Sequence, residues 1–64
     1  MRVIDEKTGK GQTVRYTGSV RGLLERLRVN PETVLVVRDG MLLTKDAVLR
    51  EKDTVTVLSV VSGG

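Results

Sequence analysis

One stretch of this chain repeats its apolar residues at helical spacing. Val20, Leu23, Leu24 and Leu27 fall at i, i+3, i+4 and i+7, a single stripe on one side of a helix. Ser19 precedes the stripe as a good N-cap. Pro31 biases Asn30 away from helical angles, so the helix is expected to stop near Arg28 or Val29. Arg21 and Glu25 lie off the stripe as an i, i+4 pair. Gly22 also reads as outward-facing, at a cost of about 1 kcal/mol against alanine.

Most of the chain around the stripe reads as strand. "MRVIDE" and "TVRYT" form an expected first hairpin, with Gly9 and Gly11 in the turn between them. "TVLVVR" (residues 33–38) is β-branched, Asp39-Gly40 is a hairpin signal, and "MLLT" returns. "KDAVLREKD" is expected to be an irregular loop pinned by Val48 and Leu49, before the last strand, "TVTVLSVV" (residues 54–61). The fold class is therefore α+β in the order ββαβββ, one helix packed on one face of a mixed sheet. Residues 1–61 are the domain, and 62–64 are expected to be a flexible tail.

Composition removes several kinds of chemistry. The 64 residues contain no Cys and no His, so thiol nucleophiles, thiolate metal sites, disulfides and the commonest general base are all absent. "GKGQT" (residues 9–13) lacks the spacing of a phosphate-binding loop and reads as a turn. No apolar run approaches a membrane span, and "MRVIDEK" does not resemble a signal peptide, so the expected location is cytoplasmic. The net charge is +3. Eleven Lys and Arg leave a small basic nucleic-acid-binding module as an alternative. Against it stands a single aromatic, Tyr16, for base stacking.

The chain finishes "VVSGG". Glycines add nothing to a core, yet their bare backbone suits a carboxylate that must thread a narrow active site. Strand alternation sorts the residues that precede them. Val34, Val36, Val55 and Val57 are expected inside. Leu35, Val37, Leu58 and Val60 are expected together on the outer sheet face, with Arg38 and Arg50 around them. Such a patch, with Ser62 continuing the slim tail, suggests a partner surface.

"SVRGLLERLRVNPETVLVVRDGMLL" and "VLSVVSGG", within a compact ββαβββ pattern, resemble the ubiquitin-like sulfur carriers. That family includes the thiamine-pathway carrier, the molybdopterin synthase small subunit and tRNA-thiolation carriers, some of which also modify proteins. The resemblance implies a ubiquitin-like β-grasp and a role as co-substrate, not enzyme. It implies that a partner of the ubiquitin-activating type adenylates Gly64 with ATP, Gly63 lying beside the reacting group. A sulfur donor then makes a thiocarboxylate, which a synthase or tRNA-thiolation enzyme consumes. In the alternative use Gly64 joins a target lysine, and Lys7, Lys10, Lys45 and Lys52 are themselves candidate acceptors. The chain itself binds no cofactor or metal in this reading, and it is expected to be a monomer alone.

Overall fold

The computed structural model describes residues 1–60. The expected tail, with Val61, lies outside them. Five strands form the main sheet: β1 (Arg2–Asp5), β2 (Gly11–Thr13), β4 (Val34–Arg38), β5 (Met41–Leu43) and β7 (Thr54–Ser59). Their spatial order is β2-β1-β7-β4-β5. β1 runs parallel to β7, and the other neighbours are antiparallel, so the sheet is mixed. Helix α1 (Val20–Arg26) packs on one face. Two further strands, β3 (Gly18–Ser19) and β6 (Val48–Leu49), pair with each other beside the helix start.

The core is aliphatic. Val20, Leu23 and Leu24 from the helix meet Val3, Val34, Val36 and Val55 from the sheet, closed by Met1 and Leu49. The expected inward set holds for Val34, Val36 and Val55. Val57 shares their face but is only partly buried, because a seven-residue helix stops short of the end of β7. A shallow recess remains there, floored by Val3, Val34 and Val57 below Leu27 and Val29.

The helix ends earlier than its apolar pattern suggests. Leu27 caps it, and Arg28 turns left-handed at φ 61°. Val29 N–H then donates to Leu24 O at 2.8 Å, and Arg28 N–H donates to Glu25 O at 3.0 Å. This paired closure is the Schellman motif, with Val29 and Leu24 at the two positions that make its hydrophobic contact. Pro31 is not the stop signal; it opens a 3₁₀ turn (Pro31–Thr33) capped by the Asn30 side chain. At the other end Ser19 caps as expected, its Oγ accepting from Gly22 N–H at 3.1 Å. Val20 and Arg21 N–H donate to the carbonyls of Ala47 and Lys45, each at 3.0 Å. The helix start is thus held by the segment that precedes β6.

Three local expectations are corrected. The second strand lies at Gly11–Thr13 rather than over "TVRYT", because the first turn is tighter. Gly9 N–H reaches Asp5 O at 2.7 Å, and Gly11 is already paired with Ile4. Beyond Val14, which donates to Met1 O, the chain leaves the sheet toward the helix. The 45–53 segment is not wholly irregular. Extended neighbours point opposite ways, so Leu49 is fully buried while Val48 is 67% exposed, and of the two only Leu49 pins the segment.

The third correction concerns Gly22, which does not simply face solvent. Tyr16 folds over it and donates its hydroxyl to Ser19 O at 2.8 Å. A Cβ at Gly22 would collide with that hydroxyl, whereas the ring carbon behind it lies 3.3 Å away. Gly22→Ala is therefore expected to cost the native protein about 1 kcal/mol. In a Tyr16→Phe background it should stabilise, since alanine's helix advantage of about 1 kcal/mol is then realised. Urea unfolding of the four proteins checks this; the same sign in both backgrounds contradicts the packing.

One ion pair ties the 44–53 segment to the sheet. Arg38 Nη1 donates to Asp53 Oδ2 at 2.9 Å and to Val48 O at 3.2 Å, while Arg50 N–H donates to the same Asp53 oxygen at 2.9 Å. The Arg50 amide, and then the Arg38 guanidinium, hold the Asp53 carboxyl below the ordinary aspartate range. A depressed folded value adds stability above the unfolded pKa and loses it as pH falls through the folded one. Asp53→Asn should therefore lower the melting temperature at pH 7. The gap from the native protein should close as the solution is acidified below the aspartate range, and a gap independent of pH contradicts the pairing.

Candidate functional site

The face of the sheet opposite α1 is set by register. β4 against β7 pairs Leu35 with Leu58 and Val37 with Thr56. β1 against β7 pairs Ile4 with Thr56, and β5 against β4 pairs Leu42 with Val37. Opposed residues share a face. One row therefore reads Ile4, Thr56, Val37, Leu42 across four strands, and the next reads Leu58, Leu35. Val60 follows Leu58 with the same parity and is 50% exposed. Its N–H donates to Thr33 O at 3.0 Å, so the β4–β7 pairing carries on one step past Ser59.

Leu35, Val37 and Leu58 are each partly exposed, and Leu42 is 60% exposed. The structure thus brings together the four aliphatic residues singled out from strand alternation, and extends them. Ile4 and Leu42 were missed. The two-residue Asp39-Gly40 loop already places Leu42 opposite Val37, so its position could have been counted off the sequence. Ile4 carries no such local signal, because it reaches the patch only through the parallel pairing of β1 with β7. Arg2 was missed as well. It shares the face of Ile4, and its guanidinium lies close over Gly11 on the neighbouring strand.

Arg38 and Arg50 are not brought to this patch. Arg38 has the parity of Val34 and Val36, which puts it on the helix side of the sheet, bonded to Asp53 and Val48. Arg50 follows β6, and together with Arg38, Asp39, Val48 and Asp53 it lines a polar recess there. A charged residue that does share the apolar face is Arg2. Ser62, Gly63 and Gly64 lie outside the described residues.

The described surface offers little chemistry of its own. Among the described residues no cluster of His, Cys, Asp or Glu is arranged to hold a metal, and no polar or charged side chain is buried. No described helix is long and apolar enough to cross a membrane. Tyr16, the one aromatic residue, has its hydroxyl on Ser19 and its ring over Gly22. It is a packing residue of the helix start, not a stacking platform. The apolar sheet face, with aliphatic side chains exposed on adjacent strands, is an arrangement suited to docking.

Comparison with known proteins agrees with that geometry. The model of the ThiS family matches residues 3–64, nearly the whole chain. Sulfur carrier protein TtuB of Thermus thermophilus is 53% identical over 51 residues, covering 80% of this chain and 78% of that relative. The apolar face, the helix laid across a mixed sheet and these two likenesses converge: the chain belongs to the ThiS family of ubiquitin-like sulfur carriers, small β-grasp proteins that act as carriers and not as catalysts.

Proposed function

We propose that the cargo is held at the Gly64 carboxylate. A carboxylate is a poor electrophile, and it becomes reactive when one of its oxygens attacks the α-phosphate of ATP and pyrophosphate leaves. The partner enzyme of the ubiquitin-activating type supplies that site. Sulfide supplied by a donor then attacks the acyl carbon, the bond to the AMP oxygen breaks and AMP leaves, giving a thiocarboxylate. Its sulfur later bonds to the acceptor as sulfide while water restores the carboxylate. Gly63 and Gly64 carry no side chain to obstruct the channel. The absence of Cys leaves no thiol in the body to compete for the activated acyl group. The observation that carries this reading is the extent of the family match, which runs through the glycine pair to residue 64. The acceptor is a transfer RNA or a thiamine precursor, and the likeness to a sulfur carrier protein supports a carrier role of this kind.

Leu35, Val37 and Leu58 form the face on which the activating enzyme docks. Partial exposure of aliphatic side chains on adjacent strands gives such a partner an apolar core to bury, and Arg2 offers it a charge at the rim.

Deleting Gly63 and Gly64 should abolish ATP–pyrophosphate exchange with the partner enzyme and leave urea unfolding unchanged. A truncated chain that still supports exchange contradicts the assignment to the terminus. Leu58→Asp should lower exchange at least about tenfold, as expected for the loss of a central apolar anchor, with the fold retained. Normal exchange by a folded Leu58→Asp protein removes the docking face while leaving the terminal assignment intact.

A further inference from the structure

β5 is an edge of the five-stranded sheet. Its one strand partner among the described residues, β4, pairs Arg38 with Met41, Val37 with Leu42 and Val36 with Leu43. A two-residue loop makes Arg38 and Met41 a bonded pair, and bonded pairs alternate with unbonded ones along an antiparallel ladder. Leu42 therefore sits at an unbonded pair, with its own N–H and C=O directed out from the sheet edge. No described residue bonds to them from that side. The side chains there are apolar as well: Met41 is 70% exposed on the helix side and Leu42 60% exposed on the outer face. Protected edges usually carry charge at such positions.

The charges stand at the flanks instead, and they name the occupant. The local sequence is Asp39-Gly40-Met41-Leu42-Leu43-Thr44-Lys45. Laid antiparallel on a second copy and centred on Leu42, β5 sets Met41 against Leu43. Asp39, in the hairpin turn at φ 53°, and Lys45, in the turn after the strand, stand at opposite ends of it, so that the acid of one copy lies toward the base of the other. The two-fold axis repeats each match, so both flanks join an acid to a base. A register shifted by two residues separates acid from base and loses both ion pairs. The segment is thus complementary to itself in apolar pattern, in backbone and in charge.

We infer that β5 is a self-pairing edge. Two copies of the chain join antiparallel through reciprocal Leu42 backbone bonds, flanked by Asp39–Lys45 ion pairs. A three-residue ladder buries little area, so the dimer is weak, with Kd on the order of 1 mM. The chain is monomeric when dilute and pairs where it is concentrated. Arg38 stays with Asp53, and Leu58 lies on β7, two strands in from this edge.

Amide chemical shifts and sedimentation of the full chain, followed from dilute to millimolar concentration, test this. Shifts should move at residues 39–45 while the sedimentation coefficient rises. Leu42→Pro removes an N–H that β4 does not use, so it should keep the fold and abolish both changes. Lys45→Glu should weaken pairing several-fold at low salt, and it decides the matter if Leu42→Pro lowers the melting temperature. A chain that stays monomeric at millimolar concentration overturns the inference. So do shifts centred on β2 or β7, or variants that associate as strongly as the native chain.

Discussion

The parallel pairing of β1 with β7 joins two distant segments of the chain in the middle of the sheet. Arg2 meets Thr54, Val3 meets Val55 and Ile4 meets Thr56, across some fifty intervening positions. With β4 on its other side, β7 is ladder-bonded along both edges. That fixes its register, and register fixes which side chains face the helix. A slip of one residue would turn Leu58 and Thr56 into the core and expose Val55 and Val57. The fully buried Val55, held between Val3 and the helix, excludes that slip. The composition of the outer face is therefore a consequence of core packing.

A domain of this size buries only about 60% of its unfolded surface, so it has little stability in reserve. The chain meets this with economical contacts. Seven residues of helix supply three buried side chains, and nearly every group at its ends is bonded. The segment between β5 and β7 contributes Leu49 to the core, two carbonyls to the helix start and Asp53 to Arg38. None of these contacts involves the outer face. A body stabilised from the helix side can spend the opposite side on recognition, which is what a carrier requires.

Much of this was legible in the sequence wherever the signal was local. The helix stripe, the Ser19 cap, the Asp39-Gly40 hairpin and the two faces of β4 follow from periodicity and turn chemistry. The sequence pattern and the structure part where a particular backbone conformation or side-chain contact, which periodicity does not report, decides the outcome. The place of β2 depends on its pairing with Ile4 and on a tight Asp5–Gly9 turn. The helix stop depends on Arg28 adopting a left-handed conformation that arginine seldom takes. Gly22 looked like a weak helix residue until Tyr16 was found across it. Arg38 was expected around the outer patch, although alternation along β4 puts it on the face of Val34 and Val36.

The central claim, proposed above, is that a body without Cys or His carries sulfur at its Gly64 carboxylate. Intact-mass analysis of the protein purified from its own cells tests this most directly, with fragmentation to locate any change. The account predicts a population in which one oxygen of the Gly64 carboxylate is replaced by sulfur. A protein carrying only the unmodified carboxylate under conditions of active thiolation would contradict it, as would sulfur found anywhere but at Gly64.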